Sequence, residues 1–411
     1  MSWKQTTLGE LADELGGVVQ TGPFGSQLHR SDYQEYGTPA VMPQNIVGDR
    51  LDTNEIARVD DAMVRKLSRH VLQEGDIVYP RRGDLNKRAI VTEREAGWLC
   101  GTGCLKISLP EGVIIPKFLF YYLKRPQTVY WLENNAVGAT MLNLSASVLR
   151  NVPIEYPAPL TQRAIADTLS AYDHLIENND RRIALLEESV HLLYREWFVN
   201  LRFPGGDRGV GGATSDGIPN GWESMPVTEA IHFNPKTPVQ KGEIRPYIPM
   251  GSLSESSMII EGIETRAVGG GAKFKSQDTL LARITPCLEN GKTAYVSFMT
   301  DDATVATGST EFIVMRSAKV NPRWVYCLAR SHNFRQHAIN SMSGSDGRQR
   351  VKPTAFENYE ILLPPPSILR QFDEQAEPAF CQISTLTDQN EKLREARDEL
   401  LPRLMNGSIP I

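Results

Sequence analysis

An apolar seam through the middle of the chain constrains what surrounds it. Alternating steps of four and three residues from Ile165 reach Leu169, Tyr172, Ile176, Asn179, Ile183, Leu186, Val190, Leu193 and Trp197, with charged residues filling the intervals. A 3.5-residue repeat held this long predicts a helix that lies along another helix. A candidate partner is in the same chain. Adding 207 to each seam position gives Phe372, Ala376, Ala379, Ile383, Leu386, Asn390, Leu393, Arg397, Leu400 and Leu404, of which eight are apolar. The offset persists upstream, where Asn151, Ile154, Pro157, Pro159 and Arg163 meet Asn358, Ile361, Pro364, Pro366 and Arg370. Two unrelated amphipathic helices would also show seams. The shared Pro-rich approach favours one unit written twice.

The remainder follows a doubled plan. Residues 1–160 carry short apolar stretches at 39–43, 76–79, 89–91 and 104–107, punctuated by Gly, Pro and Asp, which predict brief strands, and one helical piece follows Pro116. Thr161 is the expected N-cap of the first long helix. After Arg202-Phe203-Pro204 the chain dissolves into a Gly-rich connection. The second copy opens at Trp222, as the first does at Trp3, and Asp278-Thr279-Leu280-Leu281-Ala282-Arg283 echoes Asp76-Ile77-Val78-Tyr79-Pro80-Arg81. The expected fold is α+β: two mixed, β-rich domains (1–160 and 222–366) alternate with two long helices (161–203 and 367–411), with a linker at 204–221. The helices are expected to pack as an antiparallel coiled coil about a pseudo-twofold.

Length supports two or three domains with their own cores. No apolar run approaches the roughly eighteen residues a membrane span needs, and Met1-Ser2-Trp3-Lys4 lacks a signal-peptide pattern, so the expected location is cytoplasmic. Five cysteines, an odd number, read as reduced thiols, and Cys100 with Cys104 has no second pair or histidine cluster to complete a zinc site. The net charge of −5 argues mildly against phosphate contact. Segment by segment, however, the balance is −1 for 1–160, −2 for 161–203, +1 for 204–366 and −3 for 367–411. The acidity lies on the helices, and the globular regions are free to present basic faces.

Catalytic signatures fail on inspection. Gly291-Lys292-Thr293 ends like a phosphate-binding loop, but the leading glycine would fall on Pro286, which has no amide proton to offer. The glycines at 206, 209 and 211 sit in the linker, outside any strand-to-helix turn. Asn234-Pro235-Lys236-Thr237 lacks the aromatic end of an amino-methyltransferase motif, and His332 and His337 are off the metal-ligand spacing. No nucleophile, base and orienter assemble, and no metal site is expected.

Together these features resemble the specificity subunits of type I restriction-modification systems. The resemblance rests on the doubled architecture, on Ile218-Pro219-Asn220-Gly221-Trp222 at a domain start, and on Tyr194-Arg195-Glu196-Trp197-Phe198-Val199 followed by Arg202-Phe203-Pro204-Gly205. Thr21-Gly22-Pro23-Phe24-Gly25-Ser26, residues 283–292 (Arg283 to Lys292) and Thr307-Gly308-Ser309-Thr310-Glu311-Phe312 resemble stretches of that family's target-recognition domains. The resemblance implies a non-catalytic subunit whose two domains each read one half of a split, asymmetric sequence in double-stranded DNA. It implies as partners two methyltransferase (M) subunits that methylate adenine N6 and restriction (R) subunits. S-adenosylmethionine, ATP and Mg would be held by those partners, with no cofactor in this chain and no membrane partner. The 32 steps from Ile165 to Trp197 span about 48 Å at roughly 1.5 Å per residue, on the order of fourteen base pairs at about 3.4 Å each.

Reading bases and gripping phosphates takes paired donors, cations or exposed amides. The candidates in the first domain are Thr21, Gly22, Phe24, Gly25, Ser26, Gln27, Arg81, Arg82, Lys87, Arg88, Thr140 and Asn143. In the second they are Lys273, Lys275, Arg283, Lys292, Ser343, Ser345, Arg348, Arg350 and Lys352. The tip around Ser343 to Gly347 aligns with Ala136 to Thr140, so both copies carry a small-residue loop there. Asn179 and Asn390 are expected to set register inside the helix pair, and Trp197 to pack at a helix end. A non-catalytic scaffold whose repeated domains bind protein is the alternative function, and a fused methyltransferase is disfavoured by length and missing cofactor motifs.

Overall fold

A computed structural model of the chain describes residues 3–110, 112–138, 142–205, 218–299, 301, 303–345 and 347–409. It divides into two units, residues 1–175 with 393–411, and residues 176–392. Each contains one β-rich domain and part of each long helix.

In the first unit, strand Lys4–Thr7 pairs antiparallel with Pro153–Tyr156. A four-stranded antiparallel sheet runs in the order Val18–Thr21, Cys104–Ser108, Ile77–Pro80, Ala89–Ile90. A three-stranded sheet places Thr38–Val41 between Ala57–Val59 and Leu99–Cys100, the last pair parallel. Helices Pro116–Lys124 and Pro126–Asn135 follow, each begun by a proline at its first turn, where the missing N–H has no intrahelical partner to lose.

The second unit repeats this order. Glu223–Pro226 pairs with Glu360–Leu363, and a sheet runs Ile231–Phe233, Phe312–Ser317, Thr279–Ala282, Thr293–Tyr295. A second four-stranded sheet contains a parallel pair, Ile244–Ile248 with Ala306–Gly308. Helices Pro322–Arg330 and His332–Asn340 stand where the first unit has its own two. The echoing aspartates have the same job in both copies. Asp76 accepts from the Gln73 amide and pairs with Lys106, while Asp278 accepts from the Lys275 amide and pairs with Arg316. A buried carboxylate next to its strand is tolerated only with such partners.

The long helices are Pro159–Tyr194, of 36 residues, and Pro366–Met405, of 40. The first begins two residues before the expected cap, so Thr161 lies within its first turn. Pro159, with φ already set for a helix, opens it instead. Gln162, fully buried just beyond, accepts from the Ile115 amide and donates to the Val113 and Pro157 carbonyls, which ties the helix start to the domain before it. The helices pack antiparallel. In the first unit Arg397 donates to Asp173 at 2.5 Å. In the second, Asn179 donates to Asn390 at 2.9 Å, and Tyr194 and Trp197 lie against Phe372. As one helix advances from 179 to 197, its partner runs back from 390 to 372. Every seam position is buried or half-buried. The first helix ends in a wider, π-type turn, Arg195–Val199, which shifts the seam's period there and brings Tyr194 into the core beside Trp197.

One buried group gives the first unit a defined pH response. His70 is 2 % exposed, and burial, with Arg69 and Lys106 nearby, pushes its pKa down to about 4. Between the ordinary histidine value of about 6.5 and that value, the unfolded chain takes up a proton that the folded unit refuses. Stability is therefore lost as pH falls from about 6.5 to about 4, by up to about 3 kcal/mol at about 1.4 kcal/mol per pH unit. His70→Gln should flatten this part of an acid-denaturation profile of the first unit. An unchanged slope would mean His70 is not the group responsible.

Candidate nucleic-acid interface

The site is assembled at the same place in both domains, at the end of a central strand where a tip hairpin returns. In the first unit the Arg81 amide donates to the Gly103 carbonyl (2.7 Å), and the Arg81 carbonyl accepts from the Leu144 amide (2.7 Å). Val137 and Asn143 close the hairpin by exchanging backbone bonds at 3.2 and 2.8 Å. In the second unit the Arg283 amide donates to Glu311 (3.0 Å) and its carbonyl accepts from Val351 (2.9 Å), while Ser343 and Arg350 exchange bonds at 3.0 and 2.9 Å. Backbone bonding thus equates Arg81 with Arg283, Gly103 with Glu311, and Asn143 with Arg350.

The candidates divide by burial. In the first domain Arg82 and Lys87 are exposed, Arg81 is half-buried, and Arg88 is a core residue at 1 % exposure. Its guanidinium lies 5.6 Å from the Tyr79 ring centre and donates to the Asn86 carbonyl, so Arg88 belongs to the turn rather than to a surface. Thr21 ends a strand opposite Leu105. The Gly22 amide donates to Cys104, and a Cβ on Gly22 would fall 2.1 Å from the Gly101 carbonyl oxygen, so this glycine is required by close backbone approach. Gln27 accepts from the Phe24 amide, which closes the turn and leaves Phe24, Gly25 and Ser26 exposed. Asn143 is half-buried; Thr140 lies outside the described residues.

In the second domain Ser343, Ser345, Arg348 and Lys352 are exposed, and Arg350 is half-buried against Glu311. Lys273 and Arg283 line a shallow groove with Asn234, Lys236 and Thr310. Lys275 is half-buried, its amide bonded to Asp278, and Lys292 reaches the Met250 carbonyl at 3.4 Å. Two other arginines of the second domain are used internally. Arg323 pairs with Asp373 and Glu377, and Arg330 donates to the Glu255 and Gly291 carbonyls.

Sequence reasoning missed Glu311 and Lys236 as members of this region. Glu311 sits in a family-like stretch, but its partners are set by strand pairing and lie 28 and 39 residues away. The five cysteines are free thiols, and burial pushes Cys100 up to about 12. Among the described residues no three His, Cys, Asp or Glu side chains gather as a metal site, and no helix is long and apolar enough to cross a membrane.

Two copies of one β-rich domain, each built onto part of an antiparallel helix pair, make this a duplicated two-domain protein. Residues 14–188 match the family model for the type I restriction modification DNA specificity domain. Over 370 residues the chain is 24% identical to the MjaIX specificity subunit of Methanocaldococcus jannaschii, covering 86% of this chain and 82% of that one. It is 33% identical to the Escherichia coli EcoAI specificity subunit over 182 residues, 43% of this chain and 30% of the relative. The crystal structure of a type I S subunit from M. genitalium superposes with a TM-score of 0.56 over 98% of this chain and 96% of that one, at 14% identity, a likeness of fold. The first domain and the start of the long helix thus match a type I restriction modification DNA specificity domain, and the chain as a whole is similar to type I specificity subunits.

Proposed function

We infer that this chain is the DNA sequence-recognition subunit of a type I restriction-modification complex, each domain reading one half of a bipartite target and the helix pair fixing the gap. The observation that carries the reading is the doubled tip. One backbone scaffold presents an arginine at the same position in each copy, Arg81 and Arg283, while the neighbouring tip residues differ. A shared cation suits the phosphates common to both half-sites, and differing tips suit different bases. Arg82, Lys87, Arg348 and Lys352 add exposed positive charge around the two tips.

The specificity-subunit family is non-catalytic, so the chemistry belongs to partners. In this reading two methyltransferase subunits dock along the helices, bind S-adenosylmethionine and methylate adenine N6. Restriction subunits supply the ATP- and Mg-dependent steps.

The test is duplex binding by the chain with its methyltransferase subunits as a function of salt. A protein making about six to ten phosphate contacts loses roughly 10³–10⁵ in affinity between about 50 and 200 mM salt. A fall of that size, with one duplex preferred over scrambled sequence, supports recognition. Salt-insensitive or sequence-indifferent binding favours a protein scaffold instead.

A further inference from the structure

The two tips share their backbone and differ at one coupled pair of residues. Where the second domain has Glu311 and Arg350, the first has Gly103 and Asn143. The carboxylate and the guanidinium are present together or absent together, which is what a functional pair requires.

The geometry is that of a held fork. Arg350 Nε donates to both Glu311 oxygens at 3.0 and 2.9 Å, Nη2 to Oε1 at 2.9 Å, and Nη1 to the Arg348 carbonyl at 3.1 Å. Glu311 is itself fixed. Its amide donates to the Ser309 hydroxyl oxygen, its carbonyl accepts from the Arg283 amide, and Arg283 Nε stands 3.3 Å from its carboxylate. Arg350, burial and Arg283 act on that carboxylate with a net lowering of its pKa, so it is charged at neutral pH. A guanidinium has five N–H donors. Among the described residues these bonds occupy one on each nitrogen, which leaves one N–H on each terminal nitrogen of a side chain that is 36% exposed. Two parallel donors on a planar, immobilised fork match the O6 and N7 acceptors of guanine in the major groove. A clip that merely fastened the hairpin would have no need of the free edge, since Ser343 and Val351 already secure it through the backbone.

We propose that Arg350 is the residue of the second domain that reads a guanine, and that Glu311 is the positioning residue that holds its fork for that base. This rests on the recognition reading above and assigns it a base class.

The experiment is sequencing of methylated adenines in cells expressing the full chain with its methyltransferase subunits, for wild type, Arg350→Lys, Glu311→Gln, and the pair Glu311→Gly with Arg350→Asn. The paired variant installs what the first domain carries on the same scaffold, so it keeps the test open if a single change disturbs folding. The expected wild-type motif has a guanine in the second half-site. The variants should admit other bases at that one position, with discrimination falling about 10-fold to 100-fold and the first half-site unchanged. A bipartite wild-type motif that every variant reproduces, or one without guanine in that half, overturns the proposal while leaving recognition standing. Uniform loss of methylation by an assembled paired variant, with no base relaxed, also overturns it and makes the pair a structural clip. Absence of any wild-type motif refutes the recognition reading itself.

Discussion

Phe372→Ala should destabilise the second unit by about 3–5 kcal/mol, the range for removing a large aromatic from a closed core. Phe372 is fully buried, and its ring centre lies 5.0 Å from Phe198, 6.2 Å from Trp197 and 6.3 Å from Tyr194. Three of these four rings lie on one long helix or its terminal turn and the fourth on the other, so the cavity would open where the helices close on each other. Leu185→Ala is the matched control. Leu185 lies off the seam and is 66% exposed, so its loss should change stability by no more than about 0.5 kcal/mol. Urea denaturation followed by tryptophan fluorescence can read the second unit, because Trp197, Trp222 and Trp324 all lie in its core. Equal effects of the two substitutions would mean that the seam is not what holds the helices.

Exchanging residues 222–366 for the corresponding domain of a type I specificity subunit should replace one half of the methylated motif entirely and leave the other half base for base the same. The reason is structural independence. Each domain closes its own sheets, and the backbone bonds that build the second tip, from Ser343, Val351, Arg283 and Glu311, all lie within the exchanged segment. Methylated-motif sequencing of the exchanged chain, expressed with the same methyltransferase subunits, reads the result directly. A change in both halves would mean that the domains do not read separately.

Much of this fold was legible because it depends on periodicity, which sequence carries directly. The seam from Ile165 to Trp197 and its echo from Phe372 to Leu404 announced the helices, and the repeated aspartates Asp76 and Asp278 marked equivalent strands. Packing direction was harder to use. Laid one repeat over the other, Asn179 and Asn390 sit at different heights, yet they form one hydrogen-bonded pair. Repeats align parallel in sequence while the helices pack antiparallel, so residues staggered in the first frame meet in the second. Asn390 also donates to Asp180, which satisfies the buried amide as a register-setting contact demands.

Charge at the site was least legible. Sequence gives the number of cations in a segment, but their availability is set by tertiary neighbours. Arg88 is buried against Tyr79, Arg323 is engaged by the second long helix, and Arg350 is held by a glutamate 39 residues earlier. Arg82, Lys87, Arg348 and Lys352 differ from them only in where the chain leaves them. The equivalence of Arg81 with Arg283, by contrast, was already visible as the last residue of two echoing stretches, 76–81 and 278–283.

Whether this chain selects the DNA sequence on which a methyltransferase acts is read by mapping adenine methylation genome-wide in a host expressing the methyltransferase subunit with this chain and, in parallel, without it. A split motif of two specific halves separated by an unread gap should be present only when the chain is expressed. An assembled complex that leaves the methylation pattern unchanged would contradict it.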